Sequence, residues 1–189
     1  MEEKNKQEGV KSTSKQLTAF CDVQGEKAMD LVKKSVPAVE EYAKDPAKLN
    51  KVILIINLAA TALMLLAFYV LPALPALKGN GSMTLSETLK LFNNIPSGAQ
   101  DVPMKINLMM LIGNVLLLCT YANLFVGLYS LLTEKVIPYV SSRLFSLISF
   151  ISMFLLFIVV IGDALSGIYI ALLASIVVGF SGLVMISKK

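Results

Sequence analysis

The sequence predicts an all-α membrane protein. Its expected form is a four-helix transmembrane bundle with a short amphipathic helix in the first external loop and a partly disordered cytoplasmic head at the N-terminus. Three observations carry this. The chain is 56% apolar and only 16% charged, whereas a soluble domain is about half apolar and about a quarter charged. The charges are segregated: residues 1–51 hold ten Lys and nine acids, and everything after holds six Lys, one Arg and four acids. Four uncharged apolar runs then follow, at 52–71, 106–132, 144–161 and 164–186, each near the roughly 20 residues that a helix needs to cross a bilayer core. The chain thus divides into a polar head, 1–45, and a four-span domain, 46–189, with an external loop at 72–105.

Within the head, residues 1–15 are polar, charged and aperiodic, the composition of a disordered segment. The stretch 17–44 reads as short amphipathic helices. Met29, Val32, Val36 and Val39 recur at three- and four-residue spacing and form one apolar face, suited either to the membrane interface or to a partner helix. Pro37 interrupts the pattern. Asp45 then stands as an N-cap with Pro46 at the favoured first helical position, so the first spanning helix is expected to begin there, with Lys48 and Lys51 in the headgroup zone.

Orientation follows from the basic residues near the span ends. With the N-terminus inside, the inner side receives the ten head lysines, Lys135, Arg143, Lys188 and Lys189, and the outer side only Lys78, Lys90 and Lys105. Fourteen against three predicts that both termini are cytoplasmic. The head is too long and too acidic for a signal or transit peptide, so the first span is expected to serve as an uncleaved anchor. Sixteen Lys to one Arg, without His or Trp, points to a bacterial cell membrane. Asn80-Gly81-Ser82 is a glycosylation sequon that matters only in a eukaryotic secretory pathway.

The first span ends at Pro72 and Pro75, each lacking an N–H and disfavouring helix in the residue before it. Lys78-Gly79-Asn80-Gly81 reads as a turn. Thr84 and Glu87 have capping-box spacing, and Leu85, Leu89 and Phe92 then line one face, with Ser86, Thr88 and Lys90 elsewhere. Asn93 to Pro96 stops this short helix. Too short to be stable alone, it must rest on the outer leaflet, on the bundle or on a partner.

Side chains within the spans indicate how the helices meet. Gly167, Ala171, Ser175 and Gly179 form a four-residue stripe of small groups, which lets another helix approach closely, either within this chain or from another. Asn57 and Thr61 lie one turn apart in the first span. In the second, Asn107, Asn114 and Tyr121 recur every seven residues, Gly113, Thr120 and Gly127 form another such stripe, and Cys119 and Asn123 share a further face. Polar groups in several directions predict a central position for this span. Ser142, Ser146 and Ser149 give the third span a small polar face. Hydrogen bonding between helices is the expected use of these groups, rather than lining a path. Asp163, at the Gly162-Asp163 turn, is expected to cap the fourth span.

The layout of four spans with a large first and tiny second outer loop is shared with claudin-like proteins. Their first-loop Trp and paired Cys are absent, so the layout implies no membership.

Composition also excludes chemistry. Without His a standard zinc site is ruled out, Cys21 and Cys119 lie too far apart in depth to pair, and no cofactor motif or nucleophile–base pair is present. Lys and acids alternate in the head, so no nucleic-acid stripe forms. No intramembrane carboxylate is available for ion coupling. The reading is a non-enzymatic accessory or assembly subunit with no cofactor, in contact with the lipid bilayer and with another membrane protein or a second copy. The alternative is an oligomeric channel or facilitator for a small solute.

Overall fold

The computed structural model describes residues 19, 22–31, 34, 45–76, 81–94, 103–133 and 136–185. The expected disordered segment 1–15, Cys21, Val32, Val36, Val39 and the Lys78–Asn80 turn lie outside these residues, as does Ile95-Pro96. Residues 22–31 are helical. Helix α1 spans Pro46–Val70. The Asp45 carboxylate accepts from the N–H groups of Ala47 and Lys48 at 3.1 and 3.4 Å, which satisfies two of the donors that a helix start leaves open. Leu71, ahead of Pro72, is extended and ends the helix. The chain then forms a small antiparallel pair, β1 (Leu74–Pro75) with β2 (Ser82–Met83). The pair is framed by Ala73 N–H donating to Met83 O at 2.8 Å and Ala76 N–H to Gly81 O at 2.9 Å. Helix α2 (Leu85–Asn93) follows, then α3 (Met104–Thr133), α4 (Val136–Val160) and α5 (Ser166–Val184).

Helices α1, α3, α4 and α5 are long and apolar enough to cross a membrane. They pack as a ring in which α3 lies on α1, α4 on α3, α5 on α4, and α5 closes back onto α1. Neighbours run antiparallel, so the bundle has a head end, where α1 begins and α5 finishes, and a loop end, which carries the hairpin and α2. Many outward side chains, such as Ile55, Leu66, Leu118, Phe125 and Leu173, are apolar and exposed.

The second spanning helix is not central. One third (33%) of the most apolar window of α3 is buried, against 56% for α5 and 50% for α1. Its polar side chains point in several directions because they serve different partners at different depths, as described below. Among the described residues two apolar clusters fill the bundle. At the loop end Phe68, Leu85, Leu89, Leu116, Met153 and Ile168 pack together. At the head end Ala28 and Met29 from the head segment join Leu49, Leu54, Leu58 and Val184. The apolar face of the head therefore meets its own bundle at Met29.

Candidate functional site

The head end holds a buried polar junction to which all four long helices contribute. Asn57 on α1 is fully buried. Its amide N–H groups donate to Ser146 Oγ at 2.9 Å, to Ser181 Oγ at 2.7 Å and to the Val178 carbonyl at 3.1 Å, reaching α4 and α5. Asn123 on α3 donates to Asn57 Oδ1 and to Thr61 Oγ1, both at 2.8 Å. Its own Oδ1 accepts from Ser142 at 2.9 Å and Ser146 at 3.0 Å. Thr61 in turn donates to Asn57 O at 2.7 Å. Two amides thus connect four helices, with every amide oxygen and N–H group engaged. In a low-dielectric interior such closure is what makes polar burial tolerable. Ser149, one turn further along α4, is buried and its hydroxyl has no partner among the described residues.

Beside this junction Arg143 is 5% exposed. Its guanidinium donates to Asp22 of the head and, at 3.2 Å, to the Leu183 carbonyl near the end of α5. Gly25 lies directly on that same carbonyl, where a Cβ would overlap the oxygen. Among the described residues the head is thereby held against the bundle by the Arg143–Asp22 ion pair, the Gly25 approach and the burial of Ala28 and Met29. Arg143, which the sequence marks only as a topological charge, is a structural residue, and its Asp22 partner was not legible from spacing.

The small-residue stripe of α5 meets helices of this chain. A Cβ on Gly179 would lie 2.7 Å from Phe150 of α4, and one on Gly167 would lie 2.8 Å from the Pro72 carbonyl and 3.0 Å from that of Leu71. Ala171 and Ser175 are fully buried between them. Gly167 needs its bareness because its N–H donates to Pro72 O at 2.8 Å, and Leu165 N–H donates to Ala73 O at 2.9 Å. Backbone carbonyls from the segment after α1 therefore satisfy the start of α5. Asp163, expected as the cap, is used otherwise: no side chain caps α5, and its carboxylate accepts from Lys105 at 2.6 Å.

At the loop end α2 lies on the bundle. Thr84 and Glu87 form a reciprocal capping box, Glu87 N–H donating to Thr84 Oγ1 at 3.2 Å and Thr84 N–H to Glu87 Oε2 at 2.9 Å. The Thr84 N–H first, and its hydroxyl donating to Glu87 Oε2 at 3.0 Å second, hold the Glu87 carboxyl below its ordinary value. Leu85, Leu89 and Phe92 are buried, and so are Ser86 and Thr88. Leu89 seats on Gly113 of α3, where a Cβ would meet it at 2.6 Å. Asn93 and Asn114 exchange amide bonds at 3.1 and 3.3 Å.

Of the four asparagines singled out in the spans, then, only Asn57 and Asn123 come together. Asn114 serves the loop helix, and Asn107 is exposed near the start of α3. The inward stripe of α3 is Gly113, Thr120 and Gly127, all buried, with Gly127 seating Leu58 as Gly113 seats Leu89.

No protein-family model matches the chain, and comparison with curated proteins and with solved structures finds no match. Function must therefore be read from the geometry itself. The junction has hydrogen-bonding capacity but no ionisable group, and its donors are spent on fixed partners. Among the described residues no three His, Cys, Asp or Glu side chains gather to hold a metal ion. Chemically the arrangement can fix helix register.

Proposed function

We propose that this chain is a multi-pass membrane protein, both termini cytoplasmic, acting as a non-enzymatic accessory or assembly subunit of a membrane complex. The observation that carries the reading is the closed Asn57–Asn123 junction: its amide groups are all engaged within the chain, leaving none to line a solute path. The small stripe of α5 is likewise occupied by Phe150 and the Pro72 segment. A partner is then met through the outward faces, the head or the loop region. The oligomeric facilitator is the competing function.

Affinity capture of the tagged full chain from native membranes should recover a membrane protein, or a second copy, in fixed stoichiometry. Recovery of the chain alone, together with solute flux from liposomes containing only this chain, would transfer the assignment to the facilitator. Orientation is tested separately in a chain with Cys21 and Cys119 replaced by Ser. An impermeant thiol reagent should label Asn80→Cys in intact cells and leave Val10→Cys and Lys188→Cys untouched. Outside labelling at either terminus reverses the topology.

A further inference from the structure

The loop end carries a pocket at the edge of its apolar cluster. The hairpin (Leu74, Met83), α2 (Phe92), α3 (Met109) and α4 (Val160) wall a space of about 370 Å³. That size falls among small-molecule sites, about 300–1,000 Å³, which are mostly apolar with a few placed polar groups. The groove at the head end, about 170 Å³, falls below it. At the rim stand Lys105, from the first turn of α3, and Asp163, from the turn between α4 and α5, joined at 2.6 Å with each side chain about half exposed (53% and 54%).

We propose that this pocket holds one phospholipid with a zwitterionic, primary-amine headgroup, its phosphate on Lys105, its ammonium on Asp163 and the start of an acyl chain against Phe92 and Met109. The inference rests on the reading of the chain as an integral membrane protein and goes beyond its role as a subunit.

Charge complementarity selects the headgroup. One cation and one anion side by side are the mirror of a phosphate–ammonium zwitterion, so opening the pair exchanges each charge for an equivalent partner and strands neither. An ion pair this exposed contributes little to stability, so opening it for a ligand costs little. A purely anionic headgroup would satisfy Lys105 and face Asp163 with a like charge. A quaternary ammonium has no N–H for the Asp163 carboxylate to accept from, and charge-assisted hydrogen bonds are the strong ones.

Polarity order selects a lipid. The charged rim lies where the apolar run of α3 begins and that of α4 has ended, the level of headgroups if these helices cross a bilayer. The floor reaches Met109 and Val160, within the apolar runs and buried. Head and chain would therefore meet the pocket in the order a membrane presents them.

The test uses the purified full chain in detergent, titrated with dihexanoyl phosphatidylethanolamine, phosphatidylcholine or phosphatidylglycerol, with one-to-one adducts counted by native mass spectrometry. The ethanolamine lipid should bind at least tenfold tighter than either of the others. Asp163→Asn should abolish that preference while sparing the glycerol lipid. Lys105→Gln should weaken the ethanolamine and glycerol lipids together. Ala76→Phe, which fills the pocket from the hairpin, should weaken all three at least fivefold with unchanged circular dichroism. The double exchange Lys105→Asp with Asp163→Lys should retain the ethanolamine preference. Equal binding of the three lipids by the parent overturns the proposal, as does an undiminished preference in Asp163→Asn. Flotation of the parent with vesicles is read alongside: a chain that floats but does not discriminate headgroups loses the pocket alone, whereas one that does not float loses the membrane reading and the pocket with it.

Discussion

Each end of the bundle carries an apolar cluster, but among the described residues only at the head end do side-chain hydrogen bonds join all four long helices. The head end is joined by directional side-chain hydrogen bonds: Asn57 and Asn123 tie α1, α3, α4 and α5 with Ser142, Ser146 and Ser181. The loop end is joined by apolar area around Phe68, Leu85, Leu89 and Met153, sealed by backbone bonds from Pro72 and Ala73 to the start of α5. Where helices are surrounded by lipid, apolar burial does not discriminate one register from the next, since lipid is as apolar as a neighbouring helix. Directional bonds do discriminate. The polar end therefore specifies which helices meet and at what height, and the apolar end supplies contact once they have met.

The sharpest way to break this contrast is Leu89→Asp. Leu89 is 2% exposed, and burial of such a side chain contributes about 1.5–3 kcal/mol before the cost of placing a charge there. Amide exchange across Thr84–Asn93 should rise by two orders of magnitude or more while the long helices stay protected. Lys90→Asp, on the exposed side, should do little. Thr88 is not a neutral control, because it is buried and its hydroxyl donates to Thr84 O at 2.9 Å.

Asn123→Leu comes next. Four hydrogen bonds disappear, and at about 0.6 kcal/mol each within a membrane the loss is near 2 kcal/mol. Unlike Leu89→Asp, this change should lower the unfolding midpoint of the whole bundle in a detergent titration. Because Asn57 and Asn123 share partners, Asn57→Leu with Asn123→Leu should cost clearly less than the sum of the two. Strict additivity would show that the junction does not act as one unit.

Asp22→Asn is smaller. The ion pair is only partly shielded, the Asp22 side chain being 42% exposed and that of Arg143 6%, so its loss should cost about 1 kcal/mol, the upper end for pairs in contact with solvent. Release of the head uncovers Arg143, so the bundle should keep its midpoint while exchange rises at residues 22–31. A drop in the global midpoint would mean that the head is an integral part of the polar end.

The smallest effect is a pH response confined to the loop end. Glu87 has its folded value pulled below the ordinary 4.5 by Thr84. Its ionised form is therefore favoured by folding, and its contribution is present above about 4.5 and lost as pH falls through the lower folded value. Acidification should loosen Thr84–Asn93 and leave the Asn57 junction unchanged, since that contains no titrating group. Glu87→Gln should remove the response.

What could be read from the sequence were features governed by local rules. A span must be apolar for its whole length, so the four runs each fall on one of the four long helices, although α1 begins six residues and α4 eight residues before its run. Asp45-Pro46 and Thr84–Glu87 are short-range pairs whose geometry is set within one turn. Asn57 and Thr61 announce an inward polar face because lipid offers them no alternative. What escaped depends on groups far apart in the chain. Asp163 looked like a cap because nothing nearby competes for the first N–H groups of α5, yet the carbonyls of Pro72 and Ala73 reach them from the end of α1. The polar faces of α3 looked like the mark of a central helix because Asn93 on a separate short helix could not be foreseen as the partner of Asn114. Arg143 was invisible as a structural residue because Asp22 lies 121 positions away.

The same long separations impose a timetable on biosynthesis. In a chain inserted span by span, Asn57 enters first, and its acceptors lie 89, 121 and 124 residues downstream. At about 5–20 residues per second of translation the last of them emerges roughly 6–25 s later. Until Asn123 and Ser146 arrive the first helix carries an amide with no native partner, and until α5 arrives its bonds to Val178 and Ser181 remain unmade. A nascent chain stalled before α5 thus keeps the Asn57 amide only partly satisfied, and truncations ending at residue 160 should be held by membrane chaperones or cleared by proteolysis, whereas the remaining bonds to Val178 and Ser181 close once α5 arrives.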